Sequence, residues 1–188
     1  MSKQQQAPGA LEHVRAFVNT AELEEGTDEL VSAAALARWL ADRGLAPPGA
    51  RASGTDLRHA VAVREALRAI LLAHNGGAGP PASAHLTLDR AARRARLRLR
   101  FDERGGAALE PEAGGVDGAL GCLLAIVHGS IASGTWQRLK ACRQRSCEWA
   151  FYDHTKNRSG AWCNMQECGN RAKARAYRER RAASTRRR

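Results

Sequence analysis

Four of the chain's five cysteines fall in one short window, as Cys142-x4-Cys147-x15-Cys163-x4-Cys168, and nothing else in the sequence narrows the possible folds so sharply. Each close pair can form a short turn that points two sulfurs inward, and the spacer is long enough for a strand-turn-strand excursion that brings the turns together. Four thiolates suit zinc, which has no d-electron preference and accepts a closed tetrahedron with Zn–S bonds of about 2.3 Å. A closed set leaves no position for water or substrate, so the reading is one structural Zn2+ per chain held by Cys142, Cys147, Cys163 and Cys168. An iron–sulfur cluster, two disulfides and four unligated thiols are the alternatives. The first thirty residues hold no secretory signal, so a reducing cytoplasm is the expected location, which disfavours disulfides. Free thiols are disfavoured because so short and charged a segment has too little core to fold unaided. His154 is a replacement ligand that a full set of cysteines makes unnecessary. The fifth cysteine, Cys122, has apolar flanks and reads as a packed side chain.

The charge divides along the chain at the same place. The 188 residues carry a net charge of +11. Residues 1–137 hold 15 Lys+Arg against 15 Asp+Glu, whereas residues 138–188 hold 15 against 4 and so carry the whole excess. Zinc with four thiolates adds −2, which leaves the segment at about +9. Two modules are implied, 1–137 and 138–188, the second suited to a polyanion. At 44% hydrophobic and 26% charged the composition is globular. The longest apolar run, Leu120 to Val127, falls short of the roughly 20 residues that cross a bilayer, so no membrane partner is expected.

Hydrophobic spacing predicts an α+β fold, mainly helical with a small antiparallel sheet, followed by a treble-turn or ribbon-like four-cysteine module that ends in a basic helix. Residues before Ala10 read as loose. Helices are expected near 11–19, at 32–43, where Gly44 and Pro47-Pro48 make the stop, at 56–74 and at 116–131. On the long helix, Leu57, Ala60, Val61, Leu67, Ile70 and Leu71 line one side, and Arg58, Arg64, Glu65 and Arg68 face water. His85–Asp89 and Arg96–Phe101 alternate and are expected to pair as strands burying Leu86, Leu88, Leu97, Leu99 and Phe101, with Ala107–Glu110 at the edge. Arg96, Arg98 and Arg100 then form a solvated sheet face.

In the tail, Trp149, Phe151 and Trp162 supply a small core or a stacking surface for bases. The candidate nucleic-acid contacts there are Arg138, Lys140, Arg143, Arg145, Lys156 and Arg158. After Gly169-Asn170 an alanine-rich helix is predicted, with Arg171, Arg175 and Arg178 on one side and Lys173, Arg180 and Arg181 broadening the basic surface. Of the six histidines, His13, His59, His74, His85 and His128 are scattered, Asp56 and Glu65 do not share a helix face, and neither a Walker loop nor a dinucleotide fingerprint is present, so an enzyme is not expected.

The run Cys168-Gly169-Asn170-Arg171, together with Trp162-Cys163-Asn164-Met165, Cys142-x4-Cys147-Glu148-Trp149-x-Phe151-x-Asp153 and Thr155-Lys156-Asn157-Arg158-Ser159, resembles the CGNR zinc-finger family of bacterial proteins regarded as transcription regulators. Phe17-Val18-Asn19-Thr20 and Leu36-Ala37-Arg38-Trp39-Leu40 resemble the opening of the stress-induced ABATE domain that family members carry. The resemblance implies the four cysteines as zinc ligands and a DNA-binding regulator whose first 137 residues dimerise or sense a small-molecule effector. An RNA-binding or ribonucleoprotein module needs the same charge and metal and is the alternative.

Overall fold

The computed structural model describes residues 6–185, with side chains through Arg180. Its elements are α1 (Leu11–Val18), β1 (Ala21–Glu22), β2 (Thr27–Asp28), α2 (Ala33–Asp42), α3 (Gly54–His74), α4 (Ala82–Ala95), β3 (Leu97–Phe101), β4 (Ala107–Pro111), α5 (Gly115–Ala132), β5 (Leu139–Ala141), β6 (Ala150–Tyr152) and α6 (Asn170–Thr185). The strands form antiparallel pairs, β1 with β2, β3 with β4 and β5 with β6.

Helix starts follow side-chain chemistry. Ser32 Oγ accepts from the Ala35 amide at the head of α2. Ser53 and Asp56 form a reciprocal capping box that starts α3 at Gly54, two residues before the expected point. The apolar stripes of α1, α2, α3 and α5 meet in one core that includes Val14, Phe17, Leu36, Leu40, Leu67, Leu71, Leu120 and Leu123. Phe17 and Trp39 tilt against each other there, with ring centroids 5.5 Å apart. By length and a mean hydropathy of 1.5, α5 is apolar enough to cross a membrane. Its buried Val116, Ala119, Leu120 and Leu123 are packed in this core instead, and Cys122 beside them is half-buried, its thiol pushed up by that burial.

Three expectations change. His85–Asp89 is not a strand but lies inside α4, whose Ala84, Ala91 and Ala95 form the buried stripe. Two alternating leucines are too short a pattern to distinguish a strand from a helix, and the alanine content of the segment decides for helix. β3 therefore pairs with β4 alone, in the register Leu97↔Pro111 to Phe101↔Ala107, and Leu86, Leu99 and Phe101 are exposed rather than buried. The second change concerns Arg64 and Arg68, which are buried in α3 rather than turned to water. Arg64 Nη1 donates to Asp28 Oδ1 at 2.8 Å, and Arg68 Nη2 to the Val18 carbonyl at 2.7 Å. Two guanidiniums thus fasten the end of α1 and the β1–β2 hairpin onto α3, and Glu65 pairs with both. Third, the chain before Ala10 is partly ordered, since Ala7 is buried and its amide donates to Glu12 Oε2. Residues 1–5 lie outside the described residues.

The basic tail does not hang free of this core. Trp136, Leu139, Ala141, Ala150 and Tyr152 belong to the same apolar cluster as α1 and α3. Polar side chains of the first segment also cap the open backbone of the short β5–β6 pair. Asn19 Nδ2 donates to the Ala150 carbonyl at 2.9 Å, and its Oδ1 accepts from the Ala150 amide at 2.7 Å. Asn75 Nδ2 donates to the carbonyls of Ala141 and Ala161. Arg68 Nη1 reaches the Glu148 carbonyl, and His74, through Nδ1–H, the Leu139 carbonyl. Because Asn19 satisfies both buried backbone groups of one residue, Asn19→Ala is expected to lower stability by about 2–4 kcal/mol, measured by urea unfolding followed at the tryptophans.

Candidate metal centre

The two cysteine turns are built by local hydrogen bonds. The Cys142 amide donates to the Trp149 carbonyl, and the Cys147 and Glu148 amides both donate to the Gln144 carbonyl, closing the first turn with Glu148 at a φ of 47°. In the second, Asn164 Oδ1 accepts from the Gln166 amide, and the Gly169 amide returns to the Asn164 carbonyl, forming one π-helical turn over Met165–Gly169 that leads into α6. Cys142, Cys147 and Cys168 are buried, Cys163 is half-buried, and Trp149 and Trp162 pack over them.

The four sulfurs lie within 4.8 Å of one another. Cys147 and Cys163 are 3.5 Å apart at Sγ, and Cys163 and Cys168 are 3.7 Å apart. Both distances are near the edge of about 3.8 Å that four sulfurs at 2.3 Å from a central ion would show, and far from the 2.05 Å of a disulfide. None of the cysteines is bonded to another. The donor set therefore fits a tetrahedral metal with no ligand from outside, and His154 is not among the clustered groups.

Electrostatics agree with the geometry. Hydrogen bonds from Cys147 and Cys163 pull the Cys142 thiol down to about 2. Cys147 is pushed up to about 12, first by its hydrogen bond to Cys142. Cys163 is pushed up by hydrogen bonding to Cys142 and Cys147, and Cys168 by burial first. Without a cation the cluster favours one thiolate over four, and a divalent ion reverses this by compensating the negative charge.

The twelve basic residues picked from the sequence fall into distinct groups. Lys140 is buried and belongs to no exposed surface, a correction to its expected role. Its ammonium donates to Asp153 Oδ2 at 2.7 Å and to the carbonyls of Arg158 and Gly160. Asp153 also accepts from the Thr155 amide, the Thr155 hydroxyl and the Gly160 amide. Gly160 is required at this place, since a Cβ there would stand 2.8 Å from the Asp153 carboxyl carbon. The network shapes the 153–160 loop so that Lys156 and Arg158 stand exposed. Arg138 is half-buried and donates to the Asp153 and Thr155 carbonyls, while Arg143 donates to the Asn75 carbonyl. Arg171 is paired with Glu24 in the β1–β2 turn, and Arg175 donates to Gln144 Oε1. The Arg171–Arg175 side of α6 is thus engaged by the rest of the chain over its first turns. Arg145, Lys156, Arg158, Lys173, Arg178 and Arg180 are exposed and held by no ion pair or hydrogen bond of their side chains among the described residues. Arg181 has its side chain outside the described residues. Spacing finds these residues as basic but cannot separate held from free, because the partners come from distant segments.

Elemental analysis is expected to give one zinc per chain for the unaltered protein and none for Cys163→Ser, which should also raise tryptophan exposure at Trp149 and Trp162. Asp153 gives a second outcome. Burial alone would raise its carboxyl, but Lys140, Thr155 and Gly160 outweigh it and hold the group at about 2. Its folded pKa lies below the unfolded value, so its stabilisation is complete well above pH 4 and is lost as the pH falls through about 2. At pH 7, Asp153→Asn strands a buried ammonium and is expected to cost about 3–5 kcal/mol in urea unfolding.

Comparison with known families bears on the same residues. Residues 13–133 match the ABATE family, described as "Putative stress-induced transcription regulator", and residues 138–181 match the CGNR zinc finger. Neither family is catalytic. A search of curated proteins gives no significant match. With the first match covering more than half of its length and the second falling on the four clustered cysteines, the chain belongs to the ABATE family and ends in a CGNR zinc finger.

Proposed function

We propose that this protein is a zinc-dependent, DNA-binding transcription regulator acting in a reducing cytoplasm. In this reading residues 138–188 carry the duplex contact, and residues 1–137 dimerise or sense a small-molecule effector. One Zn2+ per chain ties the two cysteine turns together and orients α6. The observation that carries the reading is the set of exposed, unengaged cations Arg145, Lys156, Arg158, Lys173, Arg178 and Arg180 on a segment that holds the chain's entire excess of positive charge. Phosphate contacts need cations that lose little by turning from water to a polyanion, and these six give up no side-chain partner among the described residues.

α6 has 16 residues, about 24 Å at 1.5 Å per residue, enough to cross a major groove about 12 Å wide. Arg178 is the base-reading candidate, since Arg175 has to exchange Gln144, and Arg171 has to exchange Glu24, before touching DNA. Arg138, Lys140 and Arg143 act from behind, holding the finger's backbone in place.

Affinity against salt on duplexes tests this. Lys156→Ala and Arg158→Ala are expected to weaken binding to every sequence and to reduce the slope of log K against log salt by about 0.9 each. Arg178→Ala is expected to cost about 1–3 kcal/mol on the preferred site and much less on a scrambled one. Preference for structured RNA over duplex DNA at equal salt would instead identify an RNA-binding module. Unchanged affinity in all three variants removes this face from the interface.

A further inference from the structure

The β3–β4 hairpin, which the zinc site does not use, has two unlike faces. Asp102 begins its turn, with the Gly105 amide returning to the Asp102 carbonyl and the Asp102 amide donating to the Gly106 carbonyl, and Gly105 takes the left-handed conformation at a φ of 77°. That pairing fixes the alternation of the strand. The amides of Arg98 and Arg100 point to β4, and those of Leu97, Leu99 and Phe101 point away from it. β4 lies against α5, and β3 is the outer strand of its two-stranded sheet. Leu97, Leu99 and Phe101 share one face with their cross-strand partners Pro111, Leu109 and Ala107. The base of that face packs on α5, where Gly121 approaches Leu97 and Pro111, but at the tip Phe101 is 73% exposed and Leu99 54%. An outer strand whose outward amides have no partner among the described residues, beside an uncovered apolar face, is a pairing edge.

We propose that this edge is where two copies of the chain associate, β3 pairing antiparallel with β3 of the second copy about a two-fold axis at Leu99. In that register Leu97 of one copy faces Phe101 of the other. The two hairpins then join into one four-stranded sheet with a continuous apolar face.

Charge selects a second copy over another partner. Residues 96–112 contain four arginines and four carboxylates and sum to zero. The arginines of the polar face already have counter-ions within the hairpin, Arg98 with Glu112 at 3.0 Å and Arg100 with Glu110 at 3.6 Å. Arg98 and Arg100 of opposite copies therefore meet as neutralised pairs. An acidic partner would be drawn to residues 138–188, where the excess charge lies, and a basic one finds no net field at this hairpin. A two-fold contact needs a self-complementary surface, and on a chain of net charge +11 a patch whose charges sum to zero brings two copies together without repulsion there.

The inference deepens the dimerising role given to residues 1–137 above, and its test contains no nucleic acid, so the two readings fail separately. Sedimentation equilibrium of the full, zinc-loaded chain is expected to show a monomer–dimer equilibrium in the micromolar range. Phe101→Glu and Leu99→Lys replace exposed side chains, so zinc content and helical signal should stay unchanged while the dissociation constant rises about tenfold or more. Hydrogen exchange supplies the second readout, because the amides of Leu97, Leu99 and Phe101 should be protected at high concentration and lose protection on dilution. A monomer throughout that range overturns the proposal. So does a dimer that both variants leave intact, or one that forms without protecting those three amides.

Discussion

Four thiols gathered within 4.8 Å cannot all ionise unless a cation joins them, and most of the tail depends on that requirement. β5 and β6 have three residues each, too few to persist as an isolated pair. On one side they are bounded by the cysteine turns, which a metal would lock. On the other they rest on α3 and the end of α1, where Asn19, Asn75 and His74 bond the carbonyls of Ala150, Ala141 and Leu139, and Arg68 bonds that of Glu148 just before β6. The family assignments divide the chain near residue 135, but the apolar core does not. Leu139 and Tyr152 are buried with Phe17 and Leu71 in one cluster, so the finger is held in a fixed orientation to the preceding domain.

The charged residues separate by burial into two kinds of work. Arg15, Arg64, Arg68 and Lys140 are enclosed and satisfied by carboxylates and main-chain carbonyls. Each would be costly to expose to a competing anion, because removal would leave a buried carboxylate or carbonyl unpaired. Arg145, Lys156, Arg158, Lys173, Arg178 and Arg180 stand on the surface without such commitments. Formal charge does not distinguish the two sets. The positive field available to a polyanion is narrower than the sum of the sequence and lies on the 153–160 loop, on the first cysteine turn at Arg145 and along the outer side of α6.

Features set by local rules were legible in the sequence. Cysteine spacing picked out the four thiols that the fold gathers within 4.8 Å, and Ser32, Gly44 and Pro47-Pro48 marked where α2 begins and ends, whereas the Ser53 cap that starts α3 at Gly54 was not read. The basic helix after Cys168 followed from its alanines. What escaped were decisions made between distant segments. Nothing near Arg64 or Lys140 reveals that Asp28 and Asp153 will meet them from 36 and 13 residues away. His85–Asp89 read as a strand because alternation over five residues fits either period, and the alanine stripe of α4 becomes visible only over fourteen. That error also hid the exposed hairpin tip, since a strand placed at His85–Asp89 would have covered β3.

Under the proposed function, these contacts restrict how a signal in the first domain would reach DNA. Rotating the finger against α3 would break the two-way Asn19–Ala150 pairing and the Asn75 bonds, leaving buried backbone groups unpaired at about 1–3 kcal/mol each. The contact between Glu24 and Arg171 lies in solvent and is screened by salt, so rearranging it requires no such loss. The exposed edge of β3 lies outside the main core, and in the proposed dimer a change in how the two copies meet there would alter the separation of two α6 helices without disturbing either four-cysteine cluster. An effector acting through subunit spacing or through the β1–β2 turn therefore opposes smaller forces than one that must tilt the finger on its own domain.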